Sequence, residues 1–223
     1  MAQVAITSVL AILMLLTDAP KPSVKDFESD VVGSIPGEFL VGSPQVLGKA
    51  QWEVALDGTN KVLSFKDPGG TKGRCRLAIL RSPAVTDPRL SVRIRIQPGN
   101  AEQGGGVVWH YQNLDNYLSA QLCISQKSIF LYRVVNGNRI KFADAKLPSL
   151  ASNTWYALRI EQKGQKIMVY VDDEMVLKAK GKHFSRPGLC GICAPRGTTA
   201  SFDDLKILNL EDAPDRKPTD PAR

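Results

Sequence analysis

The residues best suited to recognition or catalysis lie in two adjoining segments, VVWHYQ (107–112) and YLSAQLC (117–123). In an extended chain successive side chains point to opposite faces. Val107, Trp109 and Tyr111 then share one face, and Val108, His110 and Gln112 the other. In the second segment Leu118, Ala120, Leu122 and the following Ile124 form an apolar face, opposite Tyr117, Ser119, Gln121 and Cys123. With Trp109 turned to the core, His110, Gln112, Tyr117, Ser119 and Gln121 form one polar patch, which Tyr132 or Arg133 from the next strand would extend. Sugar rings stack on aromatic side chains and hydrogen-bond to planar polar groups, so the composition suits a saccharide. A solvated sheet face with a surface histidine has the same composition. His183, in GKHFS, reads as a loop residue.

Other chemical motifs carry less. Cys190-Gly191-Ile192-Cys193 is a lone C-x-x-C, and Cys75 and Cys123 are isolated. A structural zinc site needs two more ligands nearby, and a thioredoxin-type site needs a βαβ setting. The reading is small packed residues, with a disulfide to Cys75 or Cys123 as the alternative. Gly104-Gly105-Gly106 precedes a strand, so the helix N-terminus that would hold a phosphate is missing. A close backbone approach explains it better.

These segments belong to a chain of 223 residues with 43% hydrophobic content, enough for a sizeable core. Lys and Arg exceed Asp and Glu by 29 − 22 = 7, without a basic run, which argues against a nucleic-acid partner. Residues 4–16, VAITSVLAILMLL, are an apolar block too short for an ordinary membrane span of about 20 residues. Its length suits the core of a secretory signal covering 1–19, which implies export to the periplasm or medium. A buried or membrane-anchoring helix is the alternative. Residues 20–25 read as a linker, 26–208 as one domain, and 209–223 as a disordered polar tail.

Within the domain, the clearest pattern is LSVRIRI (90–96): Leu90, Val92, Ile94 and Ile96 alternate with Ser91, Arg93 and Arg95. A helix would scatter these around its surface, whereas a strand sorts them into a core face and a wet face. Similar runs start near Trp52, Val62, Arg76, Gly106, Tyr117, Ser128, Arg139, Trp155, Lys166, Met175, Gly188 and Ala200, with turn signals such as Asn136-Gly137 between them. Region 33–50 reads as loop with short extended pieces. No amphipathic helix is evident after residue 20. About a dozen short strands at this spacing predict an all-β, two-sheet antiparallel sandwich.

Several segments together carry a family resemblance: Asp26-Phe27-Glu28, Gly105-Gly106-Val107-Val108-Trp109, Asp115-Asn116-Tyr117, LYRVVNG (131–137), NTWYALRI (153–160), IMVYVD (167–172) and FDDLKI (202–207). The chain resembles the concanavalin A-like lectin/glucanase superfamily, and within it the exported bacterial laminin-G-like jelly rolls related to the 3-keto-disaccharide hydrolase domain. The resemblance spans most of 26–208. It implies a jelly roll whose concave face commonly holds a carbohydrate groove. The chain departs from the pattern where His110 replaces a frequent Arg, where Leu118 follows Tyr117 in place of a second aromatic, and where Asp172-Asp173 replaces Asp-Gly.

The resemblance also implies a place for structural Ca²⁺ between first and last strands, with Glu28 and Asp203 or Asp204 as hard oxygen ligands. The competing reading is strand-end capping by one Asp with the other solvated. Retaining glycosidases of the superfamily carry Glu-x-Asp-x-x-Glu on one strand, which holds the carboxyls about 5–5.5 Å apart. No such segment occurs, and Asp172-Asp173-Glu174 reads as a turn. The first expectation is therefore an exported, non-catalytic module that binds a carbohydrate or glycoconjugate on its concave sheet. The alternatives are a glycoside hydrolase of the 3-keto-disaccharide type and an adhesion or scaffold domain with an envelope-protein partner.

Overall fold

The computed structural model describes residues 21–42, 51–67, 75–99, 103–181, 184 and 186–212. The signal-like segment 1–19 and His183 lie outside the described residues, as do residues 213–223 of the tail. Fifteen strands occur: β1 (Ser23–Lys25), β2 (Phe39–Gly42), β3 (Gln51–Asp57), β4 (Asn60–Lys66), β5 (Arg76–Leu80), β6 (Pro88–Ile96), β7 (Gly104–Asn113), β8 (Asn116–Cys123), β9 (Ser128–Val135), β10 (Asn138–Lys146), β11 (Trp155–Lys163), β12 (Lys166–Val171), β13 (Glu174–Lys180), β14 (Leu189–Ala194) and β15 (Thr199–Asn209). Among the described residues the single helical element is a 3₁₀ turn, Leu210–Asp212. Among the described residues no helix is long and apolar enough to cross a membrane.

The strands form two antiparallel sheets. The first has the order β13-β12-β11-β6-β15-β4-β3, with β1 paired to β15; the second has β10-β9-β8-β7-β14-β5-β2. This is a jelly-roll sandwich. The alternating run at its centre behaves as its period requires: Leu90 and Ile94 are fully buried, Val92 and Ile96 nearly so, and Arg89 and Arg93 point to solvent. Each such side chain contributes about 1.5–3 kcal/mol on burial. They pack against Trp109, Leu118, Ala120, Leu122 and Leu131 of the second sheet.

Turn chemistry sets much of the register. Asn136 and Gly137 both have positive φ, 49° and 78°, and join β9 to β10 with Val135 opposite Asn138. Their conformation gives the twist that two-residue hairpins favour. Asp172 and Asp173 do the same between β12 and β13, at φ 51° and 64°. Asp172 Oδ1 also accepts the Ala157 amide at 2.7 Å, which offsets the cost of a non-glycine residue there.

One strand lies where the sequence reads as linker, and another is one of the short extended pieces expected in 33–50. Ser23–Lys25, inside the linker reading of 20–25, pairs with β15, Ser23 opposite Ile207. Phe39–Gly42 pairs with β5, Phe39 opposite Leu80. Partners far along the chain create both.

Candidate functional site

On the outer face of the second sheet, Tyr117, Ser119 and Gln121 of β8 stand opposite Val134, Tyr132 and Phe130 of β9. Hairpin register then brings in β10. Arg139 pairs with Val134, and Lys141 pairs with Tyr132. The Arg139 guanidinium lies over the Tyr132 ring, 3.5 Å from its centroid, and its Nη2 donates to Gln121 Oε1 at 2.9 Å. Gln121 Nε2 in turn donates to Ser119 Oγ at 2.9 Å. The Lys141 ammonium stands 5.1 Å from the Phe130 centroid, and Phe130 and Tyr132 are tilted neighbours at 5.9 Å.

These groups form two tiers. Ser119 and Gln121 are buried and Tyr132 is half-buried, while Arg139 and Lys141 are exposed. The lower tier orients the upper one. A guanidinium stacked on a ring and bonded to a fixed amide keeps its remaining N–H donors in a set direction. The hollow bounded by Gly104, Gln121, Phe130, Tyr132, Arg139 and Pro195 is about 20 Å³, room for one water. A larger ligand must therefore lie across the aromatic and basic tier. Beneath it Cys75 Sγ donates to Gln121 Oε1 at 3.6 Å. Burial, then the neighbouring Cys75 thiol, raises the Cys193 thiol above its ordinary range.

The structure separates the remaining members of the predicted patch. His110 has φ 50°, and strand pairing between β7 and β8 is interrupted from Trp109 to Asn113. The alternation expected for VVWHYQ breaks at this bulge. His110 turns inward and is 1% exposed, so it does not share a face with Ser119 and Gln121. Tyr111 crosses to the outer side, where its ring lies 6.3 Å from that of Tyr117. Gln112 is exposed and donates to the Pro187 carbonyl at 2.9 Å. Arg133 stands opposite Leu118, a core residue, and thus on the face opposite Tyr132. Tyr117 is buried in an apolar cluster with Val108, Val134 and Cys193.

His110 belongs instead to a buried chain across the sandwich. Trp109 Nε1 donates to Gln162 Oε1 at 2.8 Å, and Gln162 Nε2 stands 3.0 Å from His110 Nε2. Indole can only donate, so the Gln162 oxygen must face it and the amide nitrogen must face His110. Nε2 of His110 is then the acceptor, and Nδ1–H donates to the Arg186 carbonyl at 3.3 Å. Burial holds the imidazole pKa below its ordinary value, against the opposing effects of Arg186, Asp87 and Gln162. The neutral ring is thus a structural element that ties β7 to β11 and to the segment before β14.

The acidic residues expected to hold calcium are held by protein groups. Glu28 Oε1 accepts the Lys61 amide at 2.9 Å. Asp203 accepts from Asn60 Nδ2 at 3.1 Å and from the Asp204 amide at 2.7 Å. Arg93 Nη1 lies 3.8 Å from Asp203 and 3.9 Å from Asp204, and so already supplies the positive charge. Among the described residues no group of three or more His, Cys, Asp or Glu is placed to hold a metal ion. A Ca²⁺ shared by Glu28, Asp203 and Asp204 would have to compete with these groups for oxygen.

Solved structures place the architecture. The carbohydrate binding module CBM66 from Bacillus subtilis superposes with a TM-score of 0.61 at 21% identity, covering 70% of this chain and 90% of that one. A Bacillus licheniformis β-glucanase gives 0.59 at 10% identity, covering 85% and 99%. The chain has the concanavalin A-like jelly-roll fold. The exoplasmic/lumenal domain of VIP36, solved in a Ca²⁺/Man3GlcNAc-bound form, gives 0.57 at 14% identity over 77% and 86%. No protein-family model and no curated protein sequence matches the chain. At these identities the likeness fixes the fold and leaves the site to be argued from its own residues.

Arg139 and Phe130 were absent from the patch read in the sequence. The signal that finds them is the Asn136-Gly137 turn, which sets Val135 against Asn138 and so puts Arg139 beside Tyr132.

Proposed function

We propose that the protein is a non-catalytic carbohydrate-binding sandwich that takes a neutral glycan across the outer face of the second sheet. The observation that carries this reading is the Tyr132–Arg139–Gln121 unit, an aromatic ring, a stacked guanidinium and a buried amide in mutual contact. Sugar hydroxyls accept from the free guanidinium N–H groups, and the apolar C–H face of a pyranose packs on the open edge of the half-buried Tyr132. On β7 to β10 this face has one carboxylate, Asp144, in an ion pair with Lys141 at 2.9 Å. Cleavage with retention needs two carboxylates about 5–5.5 Å apart. The fold is shared with a carbohydrate binding module and with a domain bound to Man3GlcNAc, which supports a glycan ligand.

Calorimetric titration of the full chain with β-glucan and mannan oligosaccharides tests the reading. Saturable binding is expected, with Tyr132→Ala and Arg139→Ala each weakening it about tenfold, or ~1.4 kcal/mol. Binding unchanged in both variants, or absent for every oligosaccharide, would overturn the proposal. Release of reducing sugar by the wild-type chain would favour a hydrolase instead.

A further inference from the structure

The first sheet carries an arrangement of charge that folding alone does not favour. At the open end of β11–β13, Lys163 stands directly opposite Lys166, and Lys166 directly opposite Lys180. Three ammonium-bearing side chains thus form one row across three neighbouring strands, each about 4.8 Å from the next. Like charges in directly opposed positions destabilise a sheet. One step along the strands, Lys178 stands opposite Met168. Lys166, Met168, Lys178 and Lys180 all lie on the outer side, because the intervening Ile167 is fully buried in the core.

Among the described residues no carboxylate pairs with Lys166, Lys178 or Lys180. Glu161 is the next outward carboxylate on β11, and it is engaged by both Arg89 and Arg159. Lys166, Lys178 and Lys180 surround a cavity of about 450 Å³, whose described lining also includes Ile167, Met168 and Ala179. That volume lies within the range of small-ligand sites.

We infer that this end of the first sheet is a second binding site, for an acidic polysaccharide bearing carboxylates or sulfates. The row rises from strands spaced about 4.8 Å apart, close to the length of one linked pyranose residue, and Met168 offers an apolar contact beside it. Single-stranded nucleic acid is the poorer fit. It is bound by stacking of bases on aromatic faces, and the aromatic residue here, Tyr170, has the Arg159 guanidinium 3.8 Å from its centroid. The site is on the sheet opposite Tyr132, so it stands or falls separately from neutral-glycan binding.

The test titrates the full chain with polygalacturonate, dextran sulfate, uncharged dextran and a thymidine oligonucleotide at low and high salt. Both acidic polysaccharides are expected to bind, more weakly as salt rises, and dextran is not. The variant Lys166→Gln/Lys178→Gln/Lys180→Gln should lose at least tenfold in affinity. Its melting temperature should stay level or rise, because repulsion in the row is relieved. A charge-matched control, Lys21→Gln/Lys127→Gln/Lys146→Gln, should lose less than threefold. Tyr132→Ala should bind acidic polysaccharide as the wild type does. Equal losses in the two triple variants would reduce the effect to overall charge and overturn the site. Unchanged binding in the first variant, or tighter binding of the oligonucleotide than of either polysaccharide, would overturn it as well.

Discussion

Replacing Gln162 by Leu tests whether the buried chain Trp109–Gln162–His110 holds the sandwich together. The change nearly conserves volume, so the cavity contribution is small. It orphans two groups at once. Trp109 is 0% and His110 1% exposed, so neither the indole N–H nor the imidazole Nε2 reaches water without a structural change. An unsatisfied buried polar group costs about 1–3 kcal/mol. The amide also donates to the Gly164 carbonyl at 3.0 Å, but Gly164 is exposed and its oxygen can turn to solvent. With the better transfer energy of Leu subtracted, the expected net loss is about 2–4 kcal/mol. Urea unfolding followed by tryptophan fluorescence, with wild type, Gln162→Leu, Trp109→Phe and the double variant, measures it. Trp109→Phe removes the donor that Gln162→Leu strands, so the double variant should be destabilised by about 1–2 kcal/mol less than the sum of the singles. A Gln162→Leu loss below about 0.5 kcal/mol, or strict additivity in the double variant, would refute the account.

Two further perturbations probe the same frame. His110 has a folded pKa below its unfolded value of about 6.5, so below that pH the unfolded chain binds more protons. Stability from the neutral ring is complete above about pH 6.5 and falls as pH drops toward the folded pKa, by at most ~1.4 kcal/mol per unit. Urea midpoints at pH 7.5, 6.5 and 5.5 should show this decline in wild type and a shallower one in His110→Leu; parallel profiles would count against it. Gly106→Ala should destabilise by more than the usual ~1–3 kcal/mol of overpacking, because the added Cβ would lie 1.8 Å from the Ala120 carbonyl oxygen. A melting temperature within a few degrees of wild type would show that β7 and β8 can separate there.

The sheets were legible because they rest on local period. Leu90 to Ile96 alternates without interruption, and thirteen of the fifteen strands lie on sequence runs that announce themselves. The two that do not are only three and four residues long. Ser23–Lys25 and Phe39–Gly42 exist because Ile207 and Leu80 offer a free edge, and no local property of SVK or FLVG encodes that. The calcium reading met a different limit. Glu28, Asp203 and Asp204 have the right oxygens, but the Arg93 side chain and the Lys61 amide stand beside them and would compete with a cation. Sequence spacing does not reveal such competition for lone pairs.

The patch around His110 shows how one inserted residue redirects a functional argument. Strict alternation would have put His110 beside Ser119 and Gln121, an exposed imidazole on a polar face. The left-handed conformation at His110 moves it by one position, and the change is absolute because the side-chain period is two. Two residues outside the strand make the bulge tolerable. Gly188 allows its backbone to abut His110, where a Cβ would lie 2.5 Å from the His110 Cα. Gln162, from the other sheet, supplies the donor that the inward ring requires. A glycine and a glutamine distant in sequence thus decide which face a histidine takes. The candidate surface consequently falls to the half-buried Tyr132 and the exposed Arg139 and Lys141, whose position depends on a two-residue turn that is plain in the sequence. The site is therefore more predictable from its turn than from its histidine.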